Sequence, residues 1–281
     1  MSQGAEPGPA GPSSSGGGTA DSNVADSAGQ PWAGRSFHSN PHAADDGRMP
    51  AELAAALERF AAGDGGQTEV VRAFAGARLL IPLVAELGDG GDGDDADDAG
   101  PHGLRVDKSQ ELSIVTVAGP DGRKVLPVFG SVEAMSRWNP LARPVPADGV
   151  RVALAAADDG TDLVVLDPGS PTEFVLRRPA VWAVARSLPW QPPFEAAEIA
   201  DAFERSIGSE LAVLGVELIA GDPRARLAGP ELVVRLTLIA GLTRQELDAT
   251  TARLARRWAE DDRIATGVDS LAVKLVGGPS A

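Results

Sequence analysis

Residues 111–140, ELSIVTVAGPDGRKVLPVFGSVEAMSRWNP, constrain the fold more than any other stretch of this chain. Residues 112–117 alternate as a strand does. Pro120-Asp121-Gly122 then supplies turn chemistry, because proline fixes φ and Asp and Gly suit the tight positions after it. Lys124 to Phe129 reads as the return strand of a hairpin. Gly130 ends it, and Ser131 is placed to cap a helix running to Trp138, with Glu133 in the first turn where a carboxylate suits the helix dipole. Asn139-Pro140 closes that helix. The predicted unit is a hairpin followed by a helix. It brings neither a nucleophile with its base nor a phosphate-binding loop.

Upstream, residues 1–49 are rich in Gly, Ser, Pro, Ala and Asp. They have too little apolar surface to offset the entropy of ordering, so they read as a disordered tail. Trp32 and Phe37 stand alone in it, as docking aromatics or as incidental ones. A helix is expected from Ala51 to Ala62 and a second from Thr68 to Ala77, with Thr68 contributing to its cap. A buried strand follows over 78–84. Pro82 puts that strand near an edge or marks an irregularity in it.

Residues 86–98 hold seven acidic side chains and no basic one. The spacing is not that of an EF-hand, and the single partial match to a calcium-binding nonapeptide lacks its apolar position and its tandem copies. The stretch 86–103 therefore reads as an acidic disordered loop, with weak cation binding or a basic partner as alternatives. Arg143-Pro-Val-Pro146 reads as a linker. Val150–Ala157 reads as a helix, Asp162–Leu166 and Glu173–Leu176 as strands, and Pro179–Leu188 as a helix.

Pro189-Trp-Gln-Pro-Pro193 is rigid and marks a domain boundary. Beyond it, over 194–277, the order is α-β-β-α-β, which implies helices on one face of a small mixed sheet. Thr243 and Glu246 form the signature of a capping box at the start of the long last helix. The expected fold class is α+β: two small domains, 50–188 and 194–277, each with a mixed sheet covered by helices.

The first domain resembles a known family through Ala77-Arg-Leu-Leu-Ile-Pro-Leu83, Pro120-Asp-Gly122, Leu126-Pro-Val-Phe-Gly-Ser131, Trp138 and Leu163-Val-Val-Leu-Asp-Pro168. Together these look like the SseB-type N-terminal domain seen in actinobacterial proteins, over about residues 50–188. Gly130 stands where the family has Thr, and Asp167-Pro168 where it often has Asn-Pro. The loss of a hydroxyl at position 130 weakens the argument for a polar ligand there. The resemblance implies an intracellular α/β domain and brings no catalytic residues with it.

Composition removes several functions. The chain has no cysteine, so disulfides, thiolate zinc sites and cysteine nucleophiles are out. Its three histidines, His38, His42 and His102, fall in tail or loop. A net charge of −15 opposes nucleic acid and anionic membranes, and no apolar run is long enough to span a bilayer. The N-terminus has neither the basic start nor the apolar core of a signal peptide, so the expected location is cytoplasmic.

The candidate contact residues are Phe129, Ser131, Trp138 and Asp167, gathered around one strand end and helix start where free N–H groups attract anions. Ser131 has no histidine or lysine base identifiable in sequence, which favours a cap over a nucleophile. Arg253, Arg256 and Arg257 form a local basic patch on the last long helix, as a solvated face or a partner contact. No cofactor and no metal is expected. Three functions stay open: a non-enzymatic interaction or adaptor protein with an unknown protein partner or a second copy of itself; a small-ligand module with a pocket near residues 129–138; and an enzyme working with carboxylates alone.

Overall fold

The computed structural model describes residues 45–85, 112–114, 116–119 and 121–278. The histidines, Trp32, Phe37, most of the expected tail and the acidic loop lie outside the described residues. The fold is α+β. Helix α1 (Ala51–Ala62) buries Leu53, Ala56 and Leu57 on one face and stops at Gly63, whose φ of 81° gives a left-handed C-cap. Helix α2 (Gln67–Gly76) buries Val70, Val71 and Phe74. Its N-cap is Gly66, and no side chain bonds the helix start, so Thr68 does not serve as the expected cap.

Two sheets follow. The first has the order β2-β1-β5, from β1 (Arg78–Ala85), β2 (Leu112–Ile114) and β5 (Arg143–Asp148), with both pairs antiparallel. The second has the order β3-β4-β6-β7, from β3 (Val117–Ala118), β4 (Lys124–Val128), β6 (Leu163–Leu166) and β7 (Phe174–Leu176). Within it β4 and β6 are parallel, and the flanking pairs are antiparallel. Leu80 and Phe129 exchange main-chain hydrogen bonds of 2.8 and 2.9 Å, which stitch the two sheets together.

This corrects the hairpin read over 112–129. Only Val117–Ala118 turns back onto β4, while Leu112–Ile114 leaves to pair with β1. Pro82 is also not at an edge, since β1 is the middle strand of its sheet. The segment read as a linker, Arg143-Pro-Val-Pro146, is strand β5. Its register with β1 runs unbroken from Arg78↔Asp148 to Leu83↔Arg143.

Three prolines are tolerated there for one reason. Leu80 directs its main-chain groups to Phe129, so Leu80 and Pro82 turn away from β5, and the ladder bonds fall to the alternate positions. Pro146 lies opposite Leu80 and Pro144 opposite Pro82, at pairs that exchange no main-chain bond. Each missing N–H is one the β1–β5 ladder does not use.

Helix α3 (Val132–Trp138) begins as expected, with Ser131 Oγ accepting from the Ala134 N–H at 3.1 Å. Helices α4 (Gly149–Asp158) and α5 (Arg178–Ala185) join α1 and α2 over one core, with Phe74, Val128, Val152, Leu166, Phe174 and Val181 in it. Fully burying a phenylalanine of this kind stabilises by roughly 2–3 kcal/mol. The last residues of the expected tail belong to the fold: Met49 packs on this core, and Asp45 pairs with Arg78 at 2.7 Å.

A second core lies under the sheet β10-β9-β8, from β8 (Val213–Ala220), β9 (Leu232–Leu238) and β10 (Leu271–Gly277). Here β8 is antiparallel and β10 parallel to β9, so the sheet is mixed as read. Helices α6 (Ala197–Ile207), α7 (Arg244–Glu260) and the unforeseen short α8 (Asp262–Gly267) supply Ile199, Phe203, Leu254, Trp258 and Ile264. The capping box of Thr243 and Glu246 is formed. Among the described residues no helix is long and apolar enough to cross a membrane.

Gly149 marks a close approach of two elements. A Cβ at this position would fall on the Phe74 carbonyl oxygen, which is backbone and cannot yield cheaply. Gly149→Ala is expected to lower unfolding free energy by about 2–3 kcal/mol, read as a reduced urea midpoint with an unchanged slope.

Candidate functional site

The residues singled out around strand β4 do meet. Phe129 is fully buried with Leu80 and Met135, its ring centroid 5.3 Å from that of the half-buried Trp138. Asp167 is fully buried at the end of β6, and the end of β4 lies beside it. One of its carboxylate oxygens accepts from the Gly130 N–H at 2.8 Å and the other from the Thr172 hydroxyl at 2.7 Å. Its own N–H donates to the Val128 carbonyl at 2.8 Å. Burial pushes this carboxyl above its ordinary value, against the hydrogen bonds from Gly130 and Thr172. A φ of 48° holds Asp167 in the left-handed region, which Asp tolerates better than most residues. The arrangement braces two strand ends. Phe129 has no surface to offer, and the oxygens of Asp167 are engaged inside the fold.

The three arginines of α7 divide. Arg253 and Arg257 reach Glu210 at 2.7 and 2.8 Å, and Glu210 is 5 % exposed. Arg257 also donates to the Ser206 carbonyl at 2.7 Å, beside the bond from Trp258 Nε1 to Ser206 Oγ. The hydrogen bond from Arg253 holds the Glu210 carboxyl below its ordinary value against the opposing effect of burial. These two cations therefore lock α7 to the end of α6. Arg256 is exposed and makes no ion pair among the described residues.

The densest charge cluster was not visible in the sequence. Arg177, buried where β7 meets α5, donates to Asp222 at 2.7 Å, to the Gly229 carbonyl at 2.8 Å, to Asp269 at 3.3 Å and to Ser270 Oγ at 3.2 Å. Arg123 grips both oxygens of Asp269 at 2.9 and 3.0 Å and also binds Asp121 at 2.7 Å. The side chains of Asp222 and Asp269 are each 2 % exposed. Glu231 accepts from the Asp269 N–H at 2.6 Å. Burial pushes its carboxyl up to about 7; the Asp269 N–H bond opposes this and the Asp269 charge adds to it.

A cleft of about 520 Å³ opens beside this cluster, lined by Asp121, Arg123, Leu227, Gly229 and Ser270. Ser270 Oγ receives N–H groups from Arg177 and Glu231 and donates to the Asp269 carboxylate at 3.3 Å, an acceptor already held by two arginines. The cluster ties the strand ends of residues 121–177 to those of 222–270. Among the described residues no group of three carboxylate or imidazole side chains is arranged to hold a metal. The only sequence signal for the cluster is that each member sits at a strand end or turn, and nothing local says that these ends converge.

Residues 53–183 match the family model of the SseB protein N-terminal domain. The SseB-type segment thus spans α1 through most of α5, and it contains Phe129, Ser131, Trp138 and Asp167. Arg177 falls inside it, whereas Asp222, Glu231 and Asp269 fall outside, so the cluster fastens the SseB-type segment to the C-terminal sheet. No curated protein matches the chain, and no solved structure does.

Two outcomes follow for stability. Arg177→Met leaves the buried Asp222 without a counter-charge, while Asp269 keeps Arg123, and is expected to cost about 3–5 kcal/mol, measured by urea unfolding. Glu231 works in the other direction. Below its ordinary value near 4.5 both folded and unfolded chains hold the proton; up to about 7 only the folded chain does, so stability falls as pH rises through that window. The full penalty, on the order of 3 kcal/mol, applies above neutrality. Glu231→Gln should raise the melting temperature at pH 8 and flatten its dependence between pH 5 and 8.

Proposed function

We propose that the chain is a non-enzymatic, cytoplasmic protein-interaction module that takes an extended segment of a partner protein onto the open edge of β10. The supporting observation is a contrast between edges. The outer margin of β5 carries proline at 144 and 146, so it lacks two donors. The outer margin of β7 is closed by the bond from the Val175 N–H to the Ala225 carbonyl at 2.8 Å.

Strand β10 has neither protection. Ser270 and Gly278 direct their main-chain groups toward β9, so the same parity turns those of Leu271, Val273, Leu275 and Gly277 outward. The side chains of Val273 and Leu275 share the helix-facing side with the buried Val234 and Leu236, yet remain 39 % and 41 % exposed. Beside them runs an apolar groove of about 350 Å³ lined by Trp258, Ile264, Val268 and Val273. On the opposite face Lys274 lies next to Arg235, which pairs with Glu217, while Lys274 makes no ion pair among the described residues.

The matching occupant is an extended segment with apolar side chains at every second position and an acid facing Lys274. Main-chain bonds to the edge would supply affinity and the groove specificity. The buried carboxylates support a non-enzymatic reading, since Asp167, Asp222, Asp269 and Glu210 are each held in bonds that join elements.

The test is amide exchange with the peptide Val-Thr-Val-Glu-Val-Thr-Val. Protection of the Val273, Leu275 and Gly277 amides, weakened at least about tenfold in affinity by Val273→Asp, is the expected result. Unchanged exchange at about 1 mM peptide would remove the proposal. Protection that rises with the concentration of the chain itself would replace the partner by a second copy.

A further inference from the structure

A larger cleft, of about 840 Å³, lies on another part of the molecule, between α5, the 188–191 segment and the starts and ends of α6 and α8. We infer that it is a binding site for a small aromatic carboxylate. The size suits a compact organic ligand. Its walls include Trp182, Trp190 and Pro179, with Leu188 left 56 % exposed at the side. Such walls favour a flat, apolar ring system.

The cleft lining holds one cation, Arg186, and one carboxylate, Glu198, on a chain that carries −15 overall. Arg178 and Arg186 stand four residues before and after Trp182 on α5, their guanidinium carbons 5.5 and 6.0 Å from its ring centroid. Arg186 is exposed, and its side chain makes no hydrogen bond or ion pair among the described residues. Arg178 donates only to the carbonyls of Ala265 and Val268, at 3.0 and 2.9 Å, and pairs with no carboxylate. The carboxylate lining the cleft is that of Glu198, which makes no ion pair with Arg186 among the described residues. Arg186, which lines the cleft beside the Trp182 indole, is the group that selects an anion, since a guanidinium plane binds a carboxylate through two parallel bonds.

The second observation concerns satisfaction of polar atoms. Among the described residues, two buried side-chain polar atoms have no hydrogen-bond partner, Thr68 Oγ1 and Arg178 Nε. Thr68 lines this cleft, and Arg178 stacks on the tryptophan that lines it. Buried polar atoms are nearly always paired; Arg178 is not among the residues lining the cleft, so of the two only Thr68 Oγ1 stands in its wall. The inference is independent of the β10 edge, which lies against a different groove.

The experiment titrates the full chain with 2-naphthoate and with 2-naphthylmethanol, its uncharged counterpart, by calorimetry and tryptophan fluorescence. Saturable binding of 2-naphthoate below about 1 mM is expected, with the alcohol at least about tenfold weaker. Arg186→Gln, at an exposed position that folding does not need, should bring 2-naphthoate down to the affinity of the alcohol. Val273→Asp should bind 2-naphthoate as the unaltered chain does. Absence of saturation up to about 5 mM, equal binding of acid and alcohol, or binding indifferent to Arg186→Gln would each overturn the assignment.

Discussion

The pairing of Arg177 with Asp222 and Asp269 carries more of this structure than any other contact. All three side chains are almost wholly out of water, and each charge is tolerated only because the others are present. Asp269 is shared with Arg123, and Gly229 and Ser270 complete the hydrogen bonding of Arg177. Removing Arg177 would leave Asp222 without a counter-charge at a place water does not reach. The relation between the SseB-type segment and the C-terminal sheet therefore depends on electrostatic satisfaction as well as on apolar area. Glu231, which stays protonated up to about neutrality, is the member whose charge the cluster does not need.

How strand edges are managed follows the same economy of backbone groups. Prolines at 82, 144 and 146 would break a ladder if any fell one residue earlier or later. Because Leu80 spends its main-chain bonds on Phe129, the alternation that follows puts all three at pairs without such bonds. One sheet is thereby joined to its neighbour on one side and blunted on the other. β10 has no comparable device apart from Lys274, a single charge on a seven-residue edge.

Sequence legibility followed the range of the interaction. The Thr243–Glu246 capping box, the Ser131 cap, the Gly63 stop and the long α7 are written within four or five residues, and they stand as read. The α+β class and the mixed C-terminal sheet followed from element order. β5 was hidden because two prolines in four residues look like a linker until the partner strand and its parity are known. Leu112–Ile114 was assigned to the nearest strand, whereas its pairing is with β1, about thirty residues earlier along the chain. At the sites the same limit applies. Phe129, Ser131, Trp138 and Asp167 were rightly grouped because they flank one strand end, but their burial and bonding could not be seen. The partner of Arg253 and Arg257 lies 43 residues or more away, at Glu210, and the Arg177 cluster is spread over roughly 150 residues.

The separation between Arg177 and Asp269 has a consequence for synthesis. The two are 92 residues apart, and Arg123 precedes Asp269 by 146. As the chain emerges from the ribosome, the SseB-type segment is available to fold while its two arginines still lack their shared acceptor. β10 follows Asp269 directly, so the last strand and the last counter-charge arrive together. Until then Arg123 has Asp121 and Arg177 has Asp222, and the carboxylate that bridges the two arginines is missing. Final closure of this seam is therefore tied to Asp269, and a stop between Asp222 and Asp269 leaves each arginine with one carboxylate in place of two.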